Sequence, residues 1–165
     1  MKRGYLGSIV LGLNDALIEL TGTLAGLTLA LQNSRIIAVA GLITGIAASL
    51  SMASSEYLST KAETTFRKGR KRNPGIAALY TGLAYFITVL FLIFPFLILG
   101  NVYYALIFTL INSQVLIGVF NYFTSFEKGT SFIHRYLEMA SISLGIALVA
   151  FIIGHFIRIY FGINV

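Results

Sequence analysis

The sequence predicts an all-α membrane protein with five transmembrane helices, its N-terminus in the cytosol and its C-terminus outside. Three observations predict it. The chain is 57% hydrophobic and only 11% charged, against roughly 25% charged in a soluble domain. Five apolar stretches each reach the ~20 helical residues that a hydrocarbon core of about 30 Å requires. Lys and Arg gather at one side of those stretches, which is how a membrane protein sets its orientation.

The first stretch spans about residues 5–31. Behind Lys2-Arg3 it imitates a signal peptide, but the apolar run is too long, holds Asp15 and Glu19 and lacks a small-residue cleavage site, so it reads as a retained span. Gln32-Asn33-Ser34-Arg35 turns into the second stretch, 36–58, which is followed by the one long polar segment, 59–73. The third stretch is 74–99, opened by Asn73 as N-cap and Pro74 at the first helical position. Pro95 lies near its end, where it can kink the helix. Gly100-Asn101 leads into the fourth, 102–126, and residues 127–131 into the fifth, 136–161. No soluble domain, low-complexity tract or clear repeat interrupts the pattern, so residues 1–165 read as a single transmembrane domain.

With the N-terminus inside, the cytosolic side collects Lys2, Arg3, Lys61, Arg67, Lys68, Arg70, Lys71, Arg72, Lys128 and Arg135, and the outside keeps Arg35 and Arg158. An odd number of spans is what this asymmetry requires. The net charge of +6 therefore speaks of topology. No Lys/Arg stretch interleaved with aromatics makes a nucleic-acid surface, and nucleic acid is not an expected partner. The absence of cysteine excludes disulfides and thiolate metal sites. Two distant histidines and no Ser/His/Asp arrangement argue against an enzyme. The expected setting is the lipid bilayer of a prokaryotic plasma membrane, since no targeting segment is evident.

Of six carboxylates, any that sits mid-span costs about 2.5–3.5 kcal/mol on the insertion scale, which makes it a functional hypothesis by default. Asp15 and Glu19 are four apart and share a helix face. At 1.5 Å per residue Asp15 lies roughly 10 Å in from the cytosolic end, with Glu19 one turn deeper. Gly22 and Gly26 continue the stripe, and small residues at this spacing let another helix approach closely. Two acids this close and out of water cannot both ionise easily. A carboxyl that keeps its proton until a cation arrives is suited to metal/proton exchange, although the same pair could serve as protonated helix–helix glue.

On the second stretch Met52 and Glu56 are also four apart. Counted from the cytosolic boundary, Met52 falls at a depth similar to that of Asp15. Carboxylates alone suit hard cations, and a thioether tilts the site towards Fe²⁺ and other late first-row ions, while Met also serves as ordinary core filler. Glu56, near the interface, can pair with Lys61 or an Arg of the following segment. Glu63, one to two turns on, suits a solvated face as well as it suits a ligand. Glu138 opens the fifth stretch, where a negative charge favours a helix N-terminus and could also guard an entrance. Asn112 and Gln114 read as interhelical hydrogen-bond partners, His155 and Arg158 as boundary residues, and the aromatics as mostly lipid-facing bulk and interface belts. All acids lie in or below the cytosolic half, so a cation would be captured from the cytosol and exported.

At these residues the sequence resembles the vacuolar iron transporter family over nearly its whole length. The resemblance is carried by Gly12-Leu13-Asn14-Asp15-Ala16-Leu17 with Leu24-Ala25-Gly26-Leu27, most specifically by Ser51-Met52-Ala53-Ser54-Ser55-Glu56-Tyr57-Leu58-Ser59, and by Arg135-Tyr136-Leu137-Glu138-Met139-Ala140. It implies five transmembrane helices, a homodimer with a pathway along the first helices, and Fe²⁺, sometimes Mn²⁺, exchanged for protons. By position Asp15, Met52 and Glu56 match the family's acid, thioether and acid. A dimer would bring two Asp15 and two Glu19 together across the glycine-bearing face. The chain departs from the family in four ways. It has a short basic segment where plant-type members insert a Glu-rich metal-binding domain, Asp15-Ala16 in place of Asp-Gly, Glu19, which is not a general family feature, and Ser55 in place of the Gly before the second acid.

The expectation is thus a proton-coupled exporter of divalent transition metal, with Asp15, Glu19, Met52, Glu56, Glu138 and Glu63 as candidate ligands, the metal as substrate, and no resident cofactor. The alternative is a membrane scaffold or accessory subunit whose acids are structural and whose basic segment binds a partner or anionic lipid.

Overall fold

A computed structural model describes residues 5–66, 72–129 and 131–162. Among them stand five helices, α1 (Leu6–Leu31), α2 (Ser34–Phe66), α3 (Pro74–Ile98), α4 (Val102–Lys128) and α5 (Phe132–Phe161), each long and apolar enough to cross a membrane. Most of the basic run between α2 and α3, residues 67–71, lies outside the described residues, as do Lys2 and Arg3. Two boundaries differ from expectation. The apolar run of α2 stops at Leu58, but its helix continues through polar residues to Phe66. Helix α5 starts at Phe132, a turn before its apolar core.

Asparagines start three of the helices. The side chain of Asn33 accepts from the backbone N–H groups of Arg35 and Ile36. Asn73 does the same for Gly75 and Ile76, and Asn101 for Tyr103 and Tyr104. Each satisfies donors that would otherwise be orphaned at a helix N-terminus. Pro74 at the first turn adds no missing bond. Gly129 and Gly162 close α4 and α5 in the left-handed conformation. Asn73→Ala is expected to cost about 1 kcal/mol, the usual value for a lost cap. The thermal midpoint of the detergent-solubilised protein should fall accordingly, and an unchanged midpoint would show that the cap contributes nothing here.

Helix α1 packs against α2, α3, α4 and α5, and these follow one another around it, each in contact with the next. No substantial contact joins α5 back to α2, so one side of α1 stays open. Ala16, Leu17, Leu20 and Leu24 of α1 are buried with Tyr85, Val89, Leu92, Ile93 and Phe96 of α3. Gly41 and Gly45 of α2 admit Ile93 and Val89, and Gly82 of α3 admits Ala53. Such small-residue contacts are how helices associate where lipid removes the hydrophobic drive between them. The outer faces of α3, α4 and α5 carry exposed Phe94, Leu97, Phe123, Phe126, Ile153 and Phe156, a surface that suits acyl chains and that water would not tolerate.

Candidate functional site

The open side of α1 is a single stripe. Gly7, Leu11 and Glu19 are exposed and Asp15 is half-buried between them, each four residues from the next. One turn further on the stripe is closed. A Cβ at Gly22 would meet Ile146 and Ala150 of α5, and one at Gly26 would meet the Ala150 carbonyl. Gly154 lies against the backbone of Gly26. The glycines therefore serve contact within the chain. This corrects the expectation that two copies would meet across them, and what remains open is the acid-bearing part of the stripe. Helix α5 also reaches α1 through Ser143, whose hydroxyl donates to the Leu17 carbonyl at 3.1 Å.

Glu19 accepts a hydrogen bond from the Tyr85 hydroxyl of α3 at 2.8 Å. Asp15 stands close enough to interact electrostatically with both Glu19 and Tyr85. No side chain hydrogen-bonds to Asp15 among the described residues. Just before it, the Asn14 side-chain oxygen is buried without a hydrogen-bond partner, and a neutral oxygen of this kind is a donor that hard and borderline cations accept.

Glu56 belongs to a second group at the end of the bundle that carries Tyr5 and Arg72, termed here the basic end. It is 9% exposed. Its Oε1 accepts from the Ser8 hydroxyl of α1 at 2.6 Å and from the Thr60 hydroxyl at 3.5 Å, and lies 3.6 Å from Nη2 of Arg72. The pairing partner is thus an arginine of the basic segment, one of the two partners expected for Glu56. Ser8 is held in turn, because its carbonyl accepts from Thr81 of α3 at 2.9 Å.

These contacts fix the register of α1 against α2. Ser8 lies beside Glu56, and Leu24 lies beside Gly41. Antiparallel counting then sets Met52 near the level of Gly12 and Asp15 near the level of Ser49, an offset of about 4 Å at the helical rise of 1.5 Å per residue. Asp15 and Met52, expected at similar depths, therefore lie within a turn of one another. Met52 packs against the core. Glu63 and Glu138 are exposed. Among the described residues of one chain, no three His, Asp or Glu side chains converge as a metal-holding group. The structure thus groups Asp15 with Glu19, holds Glu56 in a second group at the basic end, and leaves Glu63 and Glu138 exposed.

Tyr85, Ser8 and Arg72 belong to the two groups without having been singled out in the sequence. Tyr85 carried one signal, a polar tip within the apolar third stretch four residues after Thr81. The general reading of aromatics as lipid-facing bulk fails for it, since it is fully buried. Ser8 carried none, and Arg72 only the general expectation that Glu56 pairs with Lys61 or an Arg of the segment after it.

A search of the curated proteins finds no match to this chain. Residues 6–73, which contain α1, α2 and the segment up to the cap of α3, match the family model of the VIT family. The matched part holds the acid stripe, Met52 and the Glu56–Arg72 pair. Over its first two helices the chain is thus similar to the VIT family, a family of membrane metal-ion transporters.

Proposed function

We propose that this protein exports a divalent transition metal, Fe²⁺ first and Mn²⁺ as a second substrate, from the cytosol of a prokaryotic cell in exchange for protons, and that it works as a homodimer. The observation that carries the reading is the acid stripe of α1. The stripe carries half-buried Asp15 and exposed Glu19 towards the basic end of the bundle and is covered by α5 at Gly22 and Gly26 towards the other. An exposed Glu19 within a spanning helix would cost several kcal/mol against lipid. A second copy placed over the stripe removes that cost and doubles the ligand set to two Asp15 and two Glu19. The neighbouring surface of α2 suits such a partner, because Thr44, Ala47, Ser51, Ser54 and Ser55 are exposed there, small or hydroxylic residues where α3 and α4 expose Phe and Leu.

The direction follows from charge. Ten Lys and Arg fall at the N-terminal side and two at the other, an asymmetry that supports a cytosolic basic end. A metal ion arriving there meets Glu56 first and then Met52, Asp15 and Glu19, with Glu63 and Glu138 as outer carboxylates near the approach. Binding displaces protons from the acids, and protons from the other side return them. Met52 contributes a soft ligand that favours Fe²⁺ over Mg²⁺.

The test is flux. Purified protein in liposomes loaded with a metal-quenched dye is given Fe²⁺ anaerobically, with and without a pH gradient, and Mn²⁺, Co²⁺ and Mg²⁺ beside it. Entry of Fe²⁺ that is accelerated by the gradient, with Mg²⁺ excluded, is the expected result. If no divalent ion enters under any gradient, transport is the wrong reading and the acids are structural.

A further inference from the structure

We infer that Arg72 is a built-in competitor for the metal at Glu56. Its guanidinium occupies the carboxylate that an incoming divalent cation must take, and so sets the metal concentration at which transport begins. The inference rests on the transport reading above and adds to it the control of its mouth.

Arg72 is placed by its neighbours. It directly precedes Asn73, whose side chain caps α3 and whose backbone N–H donates to the Tyr5 hydroxyl at 3.0 Å. The guanidinium lies over the Tyr5 ring, 5.5 Å from its centroid. Its Nη2 donates to Ser8 at 2.6 Å and stands 3.6 Å from Glu56. One positive group thereby ties α1, α2 and the start of α3 together at the basic end.

The hold is built to be released. A structural arginine–carboxylate pair in a protein interior is typically bidentate, with its remaining N–H groups satisfied. Here a single nitrogen faces a single oxygen at 3.6 Å, and Nε is buried without a hydrogen-bond partner. A guanidinium does not lose its charge at physiological pH, so deprotonation of the arginine does not open this contact. A competing cation does, and a divalent ion brings twice the charge to the same oxygen. Lys61, one to two turns beyond Glu56 on α2, lies over the Tyr57 ring.

Liposome flux is measured against Mn²⁺ concentration for wild type, Arg72→Gln, Arg72→Lys, Glu56→Gln and the double variant. Mn²⁺ binding to the solubilised full chain is followed by electron paramagnetic resonance. Arg72→Gln is expected to lower the half-saturating Mn²⁺ concentration about tenfold, the effect of 1.4 kcal/mol of lost competition. Arg72→Lys keeps the charge but not the fork and should fall between. In the Glu56→Gln background the Arg72 change should have no further effect. An unchanged or raised half-saturation in Arg72→Gln, or in Arg72→Lys should the first variant not fold, overturns the inference while flux in wild type leaves transport standing. A wild type that passes no divalent ion removes both.

Discussion

Asp15→Asn is expected to reduce divalent-metal flux by about 100-fold or more and to leave the protein folded. Residues that merely support a ligand cost 10–100-fold in metal affinity when changed, so loss of a charged ligand should cost no less. The stability side has the opposite sign. Asp15 has no hydrogen-bonding side chain to lose among the described residues, and its close acidic neighbour is Glu19. Two carboxyls in a low-dielectric span oppose each other's ionisation. A neutral amide of the same shape removes that opposition, so the thermal midpoint should hold or rise. Flux in liposomes and thermal unfolding of the same preparation check both halves. If Asp15 were helix–helix glue, Asn would replace it in kind and flux would survive. Wild-type flux in the variant would therefore remove Asp15 from the metal path.

The fold was legible because lipid imposes a length. Five apolar stretches of sufficient span, separated by asparagine caps and glycine stops, leave little room for another arrangement. The site was legible only in part, and the reasons are geometric. Asp15, Glu19, Gly22 and Gly26 do form one stripe, as a helical wheel requires. A wheel cannot show that α5 crosses the stripe obliquely, covering the glycines and leaving the acids open. The end of α2 was misplaced because hydrophobicity marks where lipid ends, and a helix with good formers such as Lys61, Ala62 and Glu63 continues past that point. Arg72 sat within a run of like charges that reads as a solvated segment. Its pairing depends on Ser8 and Glu56, which are 64 and 16 positions away, and no local pattern announces a contact of that range.

Gly154→Ala should be the most damaging single methyl in the α1–α5 contact. A Cβ there would fall against the Gly26 carbonyl, with the carbonyl carbon at 2.9 Å and Cα at 3.1 Å. All three are backbone atoms of a helix and cannot rotate aside. The two helices must separate, and the contacts around them separate too: Gly26 against Ala150, Gly22 against Ile146, and the Ser143–Leu17 hydrogen bond. Overpacking costs about 1–3 kcal/mol in cores, and the upper part of that range is expected where neither side can yield. Close backbone approach is also what holds membrane helices together once lipid has removed the hydrophobic drive. Gly145→Ala on the same helix is the control. Nothing lies within 4 Å of its Cβ position, and in a helix Ala is favoured over Gly by about 1 kcal/mol, so its thermal midpoint should rise where that of Gly154→Ala falls. The two substitutions are chemically identical, and opposite signs would locate the difference in the Gly26 backbone. Equal shifts would mean that the approach of α5 to α1 is not what closes the outer part of the acid stripe.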